Sequence, residues 1–281
     1  MVERTIPREA VGGQTEIRFD EANGLRIGVL ATLDAISGNS IVRERYPLLF
    51  TSISAAALPW LGDSGTIGGN LCQDSGCRYY RGDFHCWLKG GEVCHARDGD
   101  NARHAIFGGG PCYAVHPSDP ATALVALEAE VTMTGPDGEK TLPLERFFQR
   151  PREDSRRLNV LRPDETLVEV RVPAPAPGAR ATYLKATEEK VRTFGPGSVA
   201  ARLVFEGDLV RDARVVLGGV APSPWRLPAV DVSLQGRRLD DAAMNRASEL
   251  AAAGAQPLAL NALKVPLVKG IVRAALSELR G

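Results

Sequence analysis

The stretch from Cys77 to Cys112, CRYYRGDFHCWLKGGEVCHARDGDNARHAIFGGGPC, holds four of the chain's five cysteines. The fifth, Cys72, stands just upstream, and all four histidines, His85, His95, His104 and His116, lie inside or beside the same window. From Cys77 the spacing is C-x8-C-x7-C-x17-C. Structural zinc sites favour short chelating C-x2-4-C pairs, and none stands here. Thiolates on long arms suit an iron–sulfur cluster, whose irons present well-separated corners. Glycines at 82, 90, 91, 99, 108, 109 and 110 supply the turns of such a wrap. Four ligands suffice, so Cys72 is read as surplus. Free thiols in a loop, a disulfide pair and a zinc staple are the plainer alternatives. His85 and His95, each next to a candidate ligand, read as solvated or hydrogen-bonding neighbours rather than ligands.

The rest of the chain must form a core large enough to carry this window. With 281 residues, 44% of them hydrophobic, one large or two medium domains are expected. The formal net charge is zero, which gives no pointer to nucleic acid or a membrane surface. The N-terminus MVERTIPREAVGGQTEI has no apolar signal region, and no run of eighteen apolar residues exists. A cytoplasmic location is expected, or a periplasmic one if a partner carries the export signal.

Turn signals and periodicity predict an α+β chain. LRIGVL (25–30) reads as a strand after Ala22-Asn23-Gly24, and Thr32 as the cap of a following helix. Pro47–Leu58 reads as a helix opened by one proline and ended by Pro59. Asp119-Pro120 repeats that start signal, with Asp119 as the cap. Ala129–Leu144 is a hairpin around Pro-Asp-Gly, Thr166–Pro173 alternates as a strand, and Pro173–Ala179 is a stiff linker. Beyond it come strands at RATYLKAT, SVAARLVFEG and LVRDARVVLGGV, making a three-stranded sheet. A helix follows over Asp240–Ala255, and a last helix places Leu263, Leu267, Ile271, Ala275 and Leu279 on one stripe.

GTIGGNLCQ (65–73) precedes the cysteines. Adjacent glycines let backbone N–H groups approach a phosphate, and Thr66 and Asn70 can add side-chain hydrogen bonds. Alone it is equally a tight turn, and it lacks the third glycine of the dinucleotide fingerprint.

Taken in order, TIGGN (66–70), the four spaced cysteines, HPSDPATALVALEAEV (116–131), VVLGGVAPSPWRLP (215–228) and PLALNALKVPLVKGIVRAAL (257–276) resemble the FAD-binding medium subunit of the molybdenum hydroxylases. This is the xanthine dehydrogenase and carbon monoxide dehydrogenase superfamily. The cysteines make the chain most similar to the branch with an extra 4Fe–4S cluster, which includes aldehyde oxidoreductase and the 4-hydroxybenzoyl-CoA reductase β subunit. The resemblance covers nearly the whole chain. It implies an FAD-binding domain over residues 1–175 with the cluster insertion at 72–115, then an α+β C-terminal domain over 180–281.

The resemblance implies FAD contacts at Thr66, Ile67, Gly68, Gly69 and Asn70, with their backbone amides on the pyrophosphate, and at Asp119, Leu167 and Lys185. It implies cluster ligands at Cys77, Cys86, Cys94 and Cys112. It implies a relay role beside a large molybdenum-cofactor subunit and a small 2Fe–2S subunit. The partner would oxidise an aldehyde, purine or aromatic substrate, and electrons would pass through FAD and the 4Fe–4S cluster to NAD, oxygen, a quinone or ferredoxin. The family begins with a further βαβ unit carrying a second glycine loop, whereas VERTIP resembles the segment after it, so a truncated N-terminal FAD subdomain is expected. GGQTEI (12–17) falls where the family has a variable turn. A stand-alone flavin oxidoreductase, and a zinc- or disulfide-stapled module without FAD, are the competing readings.

Overall fold

A computed structural model describes residues 14–56, 64–152, 154–187 and 195–280. Gly12 and Gly13 of GGQTEI, and Ala57, Leu58 and Pro59 at the predicted end of the first long helix, lie outside the described residues.

The N-terminal half is built on a five-stranded antiparallel sheet in the order β1-β2-β5-β3-β4. Its strands are β1 (Ile17–Asp20), β2 (Gly24–Gly28), β3 (Glu130–Gly135), β4 (Gly138–Pro143) and β5 (Thr166–Val172). The Pro-Asp-Gly hairpin forms as expected, with Gly135 opposite Gly138 and Gly138 at φ +91°. Strand β1 is a finding the sequence reading lacked. It is an edge strand with one partner, half of whose side chains face solvent. On this sheet pack α1 (Leu33–Gly38), α2 (Ser40–Arg45), α3 (Pro47–Ala56) and α4 (Ile67–Leu71). Thr32 caps α1 as predicted, its hydroxyl accepting from the Ala35 amide at 3.1 Å.

The cysteine window contributes α5 (Arg78–Arg81) and a single 3-10 turn at Trp87–Lys89. It re-enters the sheet layer through α6 (Asp119–Ala126), every residue of which is buried. The cap of α6 is Ser118, not Asp119: the Ser118 hydroxyl accepts from the Ala121 amide at 2.9 Å. Asp119 is the first helical residue, and its carboxylate is held elsewhere. Helix α7 (Leu144–Phe147) follows the hairpin.

The C-terminal half has four antiparallel strands where three were expected: β6 (Ala179–Ala186), β7 (Gly197–Glu206), β8 (Leu209–Gly218) and the two-residue β9 (Trp225–Arg226). Alternation along these strands serves two cores. Tyr183, Ala200 and Val216 face the N-terminal half, while Val199, Ala201, Leu203, Val215 and Leu217 face α8 (Pro228–Leu234), α9 (Asp241–Ala251) and α10 (Lys264–Arg280). The buried stripe of α10 is Val268, Val272, Ala275, Leu276 and Leu279, and Leu263 is 82% exposed. A strict spacing of four turns about 40° per step, so the predicted row spirals off the core face, and the real one mixes threes and fours.

The cysteine window is tied to both halves. The Ile106 and Phe107 amides donate to Val220 O, His116 N donates to Ala221 O, and Gln256 N donates to Ile106 O at 2.7 Å.

Candidate functional site

The TIGGN segment becomes the first turn of α4, with Thr66 as its cap accepting from Gly69 N at 3.1 Å. Its two central glycines have different reasons. A Cβ on Gly68 would lie 2.8 Å from Val29 Cβ and 2.9 Å from Val29 O, so only glycine lets α4 sit against the strand end. Gly69 faces outward, and a Cβ there would meet only Thr66 Oγ1. The amides of Ile67, Gly68 and Asn70 donate to Ala31 O, Val29 O and Thr66 O. Two of the amides expected to meet phosphate, those of Ile67 and Gly68, are therefore turned inward, and the Asn70 amide is taken up by the first turn of α4. Donors that this turn offers include the Thr66 hydroxyl, the Asn70 side-chain NH₂ and the Gly69 amide, the last shared with Thr66 Oγ1.

Asn70 Oδ1 accepts from the Ser118 hydroxyl at 2.5 Å, which locks the TIGGN turn to the start of α6. One residue on, Asp119 accepts from Lys185 Nζ at 2.7 Å and from the Tyr183 hydroxyl at 2.5 Å. Lys185 also donates to Ala55 O at 3.1 Å. Burial and the adjacent Asp119 carboxylate push the Tyr183 hydroxyl well above its ordinary pKa, so it stays a donor. The fold thus gathers Thr66–Asn70, Asp119 and Lys185. Ser118, Asp119 and Lys185 line a cleft with Val115, His116 and Gly197. Leu167 is not part of it. It lies on β5, opposite Met133 and buried in the first core.

His116 is buried, its ring edge-on to Phe148 at 4.6 Å. Its Nδ1 accepts from Ser118 N at 3.3 Å and its Nε2 faces Leu71 O at 3.4 Å, which places the proton on Nε2. Burial pushes its pKa down to about 4.

Cys77, Cys86, Cys94 and Cys112 line one small cavity, closed by Tyr79, Tyr80, Trp87, Leu88, His95 and Ala114. All five cysteines are free thiols, so the disulfide alternative is not realised. Cys72 packs instead against the N-terminal core, where burial pushes its thiol up to about 11. The neighbouring Cys112 lowers the pKa of Cys94, and the Ala114 amide donates to Cys112 Sγ at 3.5 Å. Among the described residues no group of three or more His, Cys, Asp or Glu side chains is gathered to hold a metal ion. The four thiols surround a space rather than meeting at one point. His85 is exposed, and His95 sits in an aromatic group with Tyr79 and Phe84.

Several partners in this region were not visible in the sequence. His104 Nε2 lies 3.2 Å from Cys77 Sγ. Arg156 donates Nη1 to Trp87 O and, at 2.8 Å, to Gly91 O, with its guanidinium 4.7 Å above the Trp87 ring. Both contacts join residues far apart in the chain, and no local spacing announces them.

Family comparison agrees with this architecture. Residues 9–175 match the FAD binding domain in molybdopterin dehydrogenase, and residues 182–279 match the CO dehydrogenase flavoprotein C-terminal domain. The chain is 33% identical over 273 residues to the aldehyde oxidoreductase FAD-binding subunit PaoB of Escherichia coli (strain K12), covering 95% of this chain and 82% of that protein. It is 25% identical to the carbon monoxide dehydrogenase medium chain of Hydrogenophaga pseudoflava, covering 85% and 70%. In fold it is similar to CO dehydrogenase from Oligotropha carboxidovorans, with a TM-score of 0.72 at 20% identity over 95% of this chain and 79% of that one. Quinoline 2-oxidoreductase from Pseudomonas putida 86 gives 0.72 at 19% identity over 97% and 80%. With both halves matched in order, the chain belongs to the FAD-binding subunits of the molybdopterin dehydrogenase family of oxidoreductases.

Proposed function

We propose that this chain is the electron-relay subunit of a multi-subunit molybdenum hydroxylase, and that Cys77, Cys86, Cys94 and Cys112 hold a 4Fe–4S cluster beside its FAD. The observation that carries the cluster is that these four thiols line one cavity while Cys72 packs elsewhere. The residues fit the group. The cavity wall is largely apolar, the Cys77 and Cys112 sulfurs each face an N–H donor, and thiols spread around a space suit a polynuclear centre better than a single zinc. A cluster bound there would supply one-electron chemistry.

The FAD residues fit in part. Thr66, Gly69 and Asn70 offer donors at an exposed turn, and the Asp119 amide, at the start of α6, has no carbonyl within its own helix to receive it. Lys185 and Tyr183 keep the Asp119 carboxylate in place, and Ser118 fixes the turn to the helix. Ile67 and Gly68 seat the turn against the end of β2 through their bonds to Ala31 O and Val29 O. FAD bound here would supply the two-electron redox chemistry, while this chain orients it and excludes water.

The partners in this reading are a large molybdenum-cofactor subunit, where an aldehyde, purine or aromatic compound is oxidised, and a small 2Fe–2S subunit. Affinity purification of the tagged chain from its native host without air tests the reading. Co-elution of both subunits with flavin bands and a broad iron–sulfur shoulder is the expected result. A colourless monomer, or a flavin monomer that turns over substrate alone, would refute it.

A further inference from the structure

The Cys77 thiol has one polar side chain against it, and that side chain is fixed from the opposite half of the molecule. His104 is 5% exposed, and its Nε2 lies 3.2 Å from Cys77 Sγ. Its Nδ1 is buried and has no hydrogen-bond partner. A buried N–H without an acceptor costs more than a bare ring lone pair, so the proton belongs on Nε2, aimed at the sulfur. The ring is held by its own backbone. Lys264 Nζ, at the start of α10, donates to His104 O at 2.9 Å and to Gly219 O at 2.8 Å. Asn261 Nδ2 donates to the same His104 carbonyl at 3.2 Å, and Leu260 N donates to Asn101 Oδ1 at 2.9 Å. His104 N in turn donates to Asn101 O. The segment that carries His104 is therefore pinned by the 260–264 segment of the C-terminal half.

We propose that His104 is a positioning and potential-setting residue for Cys77, donating its Nε2–H to the ligand sulfur from a seat built by Asn261 and Lys264. The inference rests on the cluster reading above. A hydrogen bond to a ligand sulfur withdraws charge from it and favours the reduced form of a cluster, so its loss moves the reduction potential down. Cys112 receives only a backbone amide at 3.5 Å, so the four sulfurs are not equivalent.

The test compares wild type, His104→Phe and His104→Gln in the purified complex, by iron content and by EPR-monitored redox titration. Phenylalanine fills the site without a donor, and glutamine restores an N–H of similar reach. The expected result is full iron in wild type, a more negative midpoint potential in His104→Phe, and a return toward wild type in His104→Gln. Iron loss in His104→Phe with retention in His104→Gln also supports the donor role. Full iron and an unchanged potential in His104→Phe would overturn it, and so would equal iron loss in both variants, which marks the ring as packing. Wild-type complex without iron would instead fail the cluster reading itself.

Discussion

Lys185 Nζ lies 2.7 Å from Asp119 Oδ2 in a setting where the two side chains are only 6% and 10% exposed. This pair, with the Tyr183 hydroxyl on the other carboxylate oxygen, joins β6 of the C-terminal half to the first turn of α6. Removing one partner of a buried pair leaves a charge without compensation, at a cost of about 3–5 kcal/mol. Lys185→Met alone is expected to lower unfolding stability by that order in urea titrations. The double variant Asp119→Leu/Lys185→Met is expected to recover much of the loss. Simple additivity of the two single losses would show that the pair does not couple the halves.

The two glycines of the TIGGN turn separate stability from binding. Gly68→Ala forces a Cβ into Val29 and is expected to cost about 1–3 kcal/mol without FAD present. Gly69→Val leaves the apo chain's unfolding midpoint little changed but weakens FAD at least about tenfold, roughly 1.4 kcal/mol. Equal FAD affinity in wild type and Gly69→Val, by fluorescence titration, would remove this turn from the site.

His116 makes stability depend on pH. Its pKa falls to about 4 in the folded chain, against an ordinary value of 6.5. Between these values the unfolded chain binds more protons, so stability is lost as pH falls from about 6.5 to about 4, by on the order of 3 kcal/mol. His116→Phe is expected to flatten that part of the stability–pH curve relative to wild type. Parallel curves would show that His116 does not titrate on unfolding.

Arg156 holds the arch between Cys86 and Cys94 by its bonds to Trp87 O and Gly91 O. Arg156→Ala is expected to open this arch to limited proteolysis and to speed iron loss to a chelator. Unchanged cleavage within residues 82–99 would make the contact incidental.

Local pattern was enough for elements whose reasons are local. The Pro-Asp-Gly hairpin, the Thr32 cap and the strands β5 to β8 follow from turn chemistry and alternation. The failures share a physical cause in distant partners. Asp119 has the chemistry of a cap, but Lys185 and Tyr183 claim its carboxylate, and Ser118 caps the helix instead. Strands β1 and β9 are short edge segments that exist through pairing with β2 and β8. In the candidate site, the ordered cysteines and TIGGN were legible as motifs. The inward turn of the Ile67 and Gly68 amides, and the His104 and Arg156 contacts, depend on tertiary packing that no spacing encodes.

Iron and acid-labile sulfide per chain, measured on anaerobically purified wild type, Cys72→Ser and Cys94→Ser, test the central claim most directly. About four of each are expected for a cubane with four cysteine ligands in wild type and in Cys72→Ser, with loss in Cys94→Ser. Stoichiometric zinc in place of iron, or full iron in Cys94→Ser, would contradict the assignment of this cavity as a cluster site.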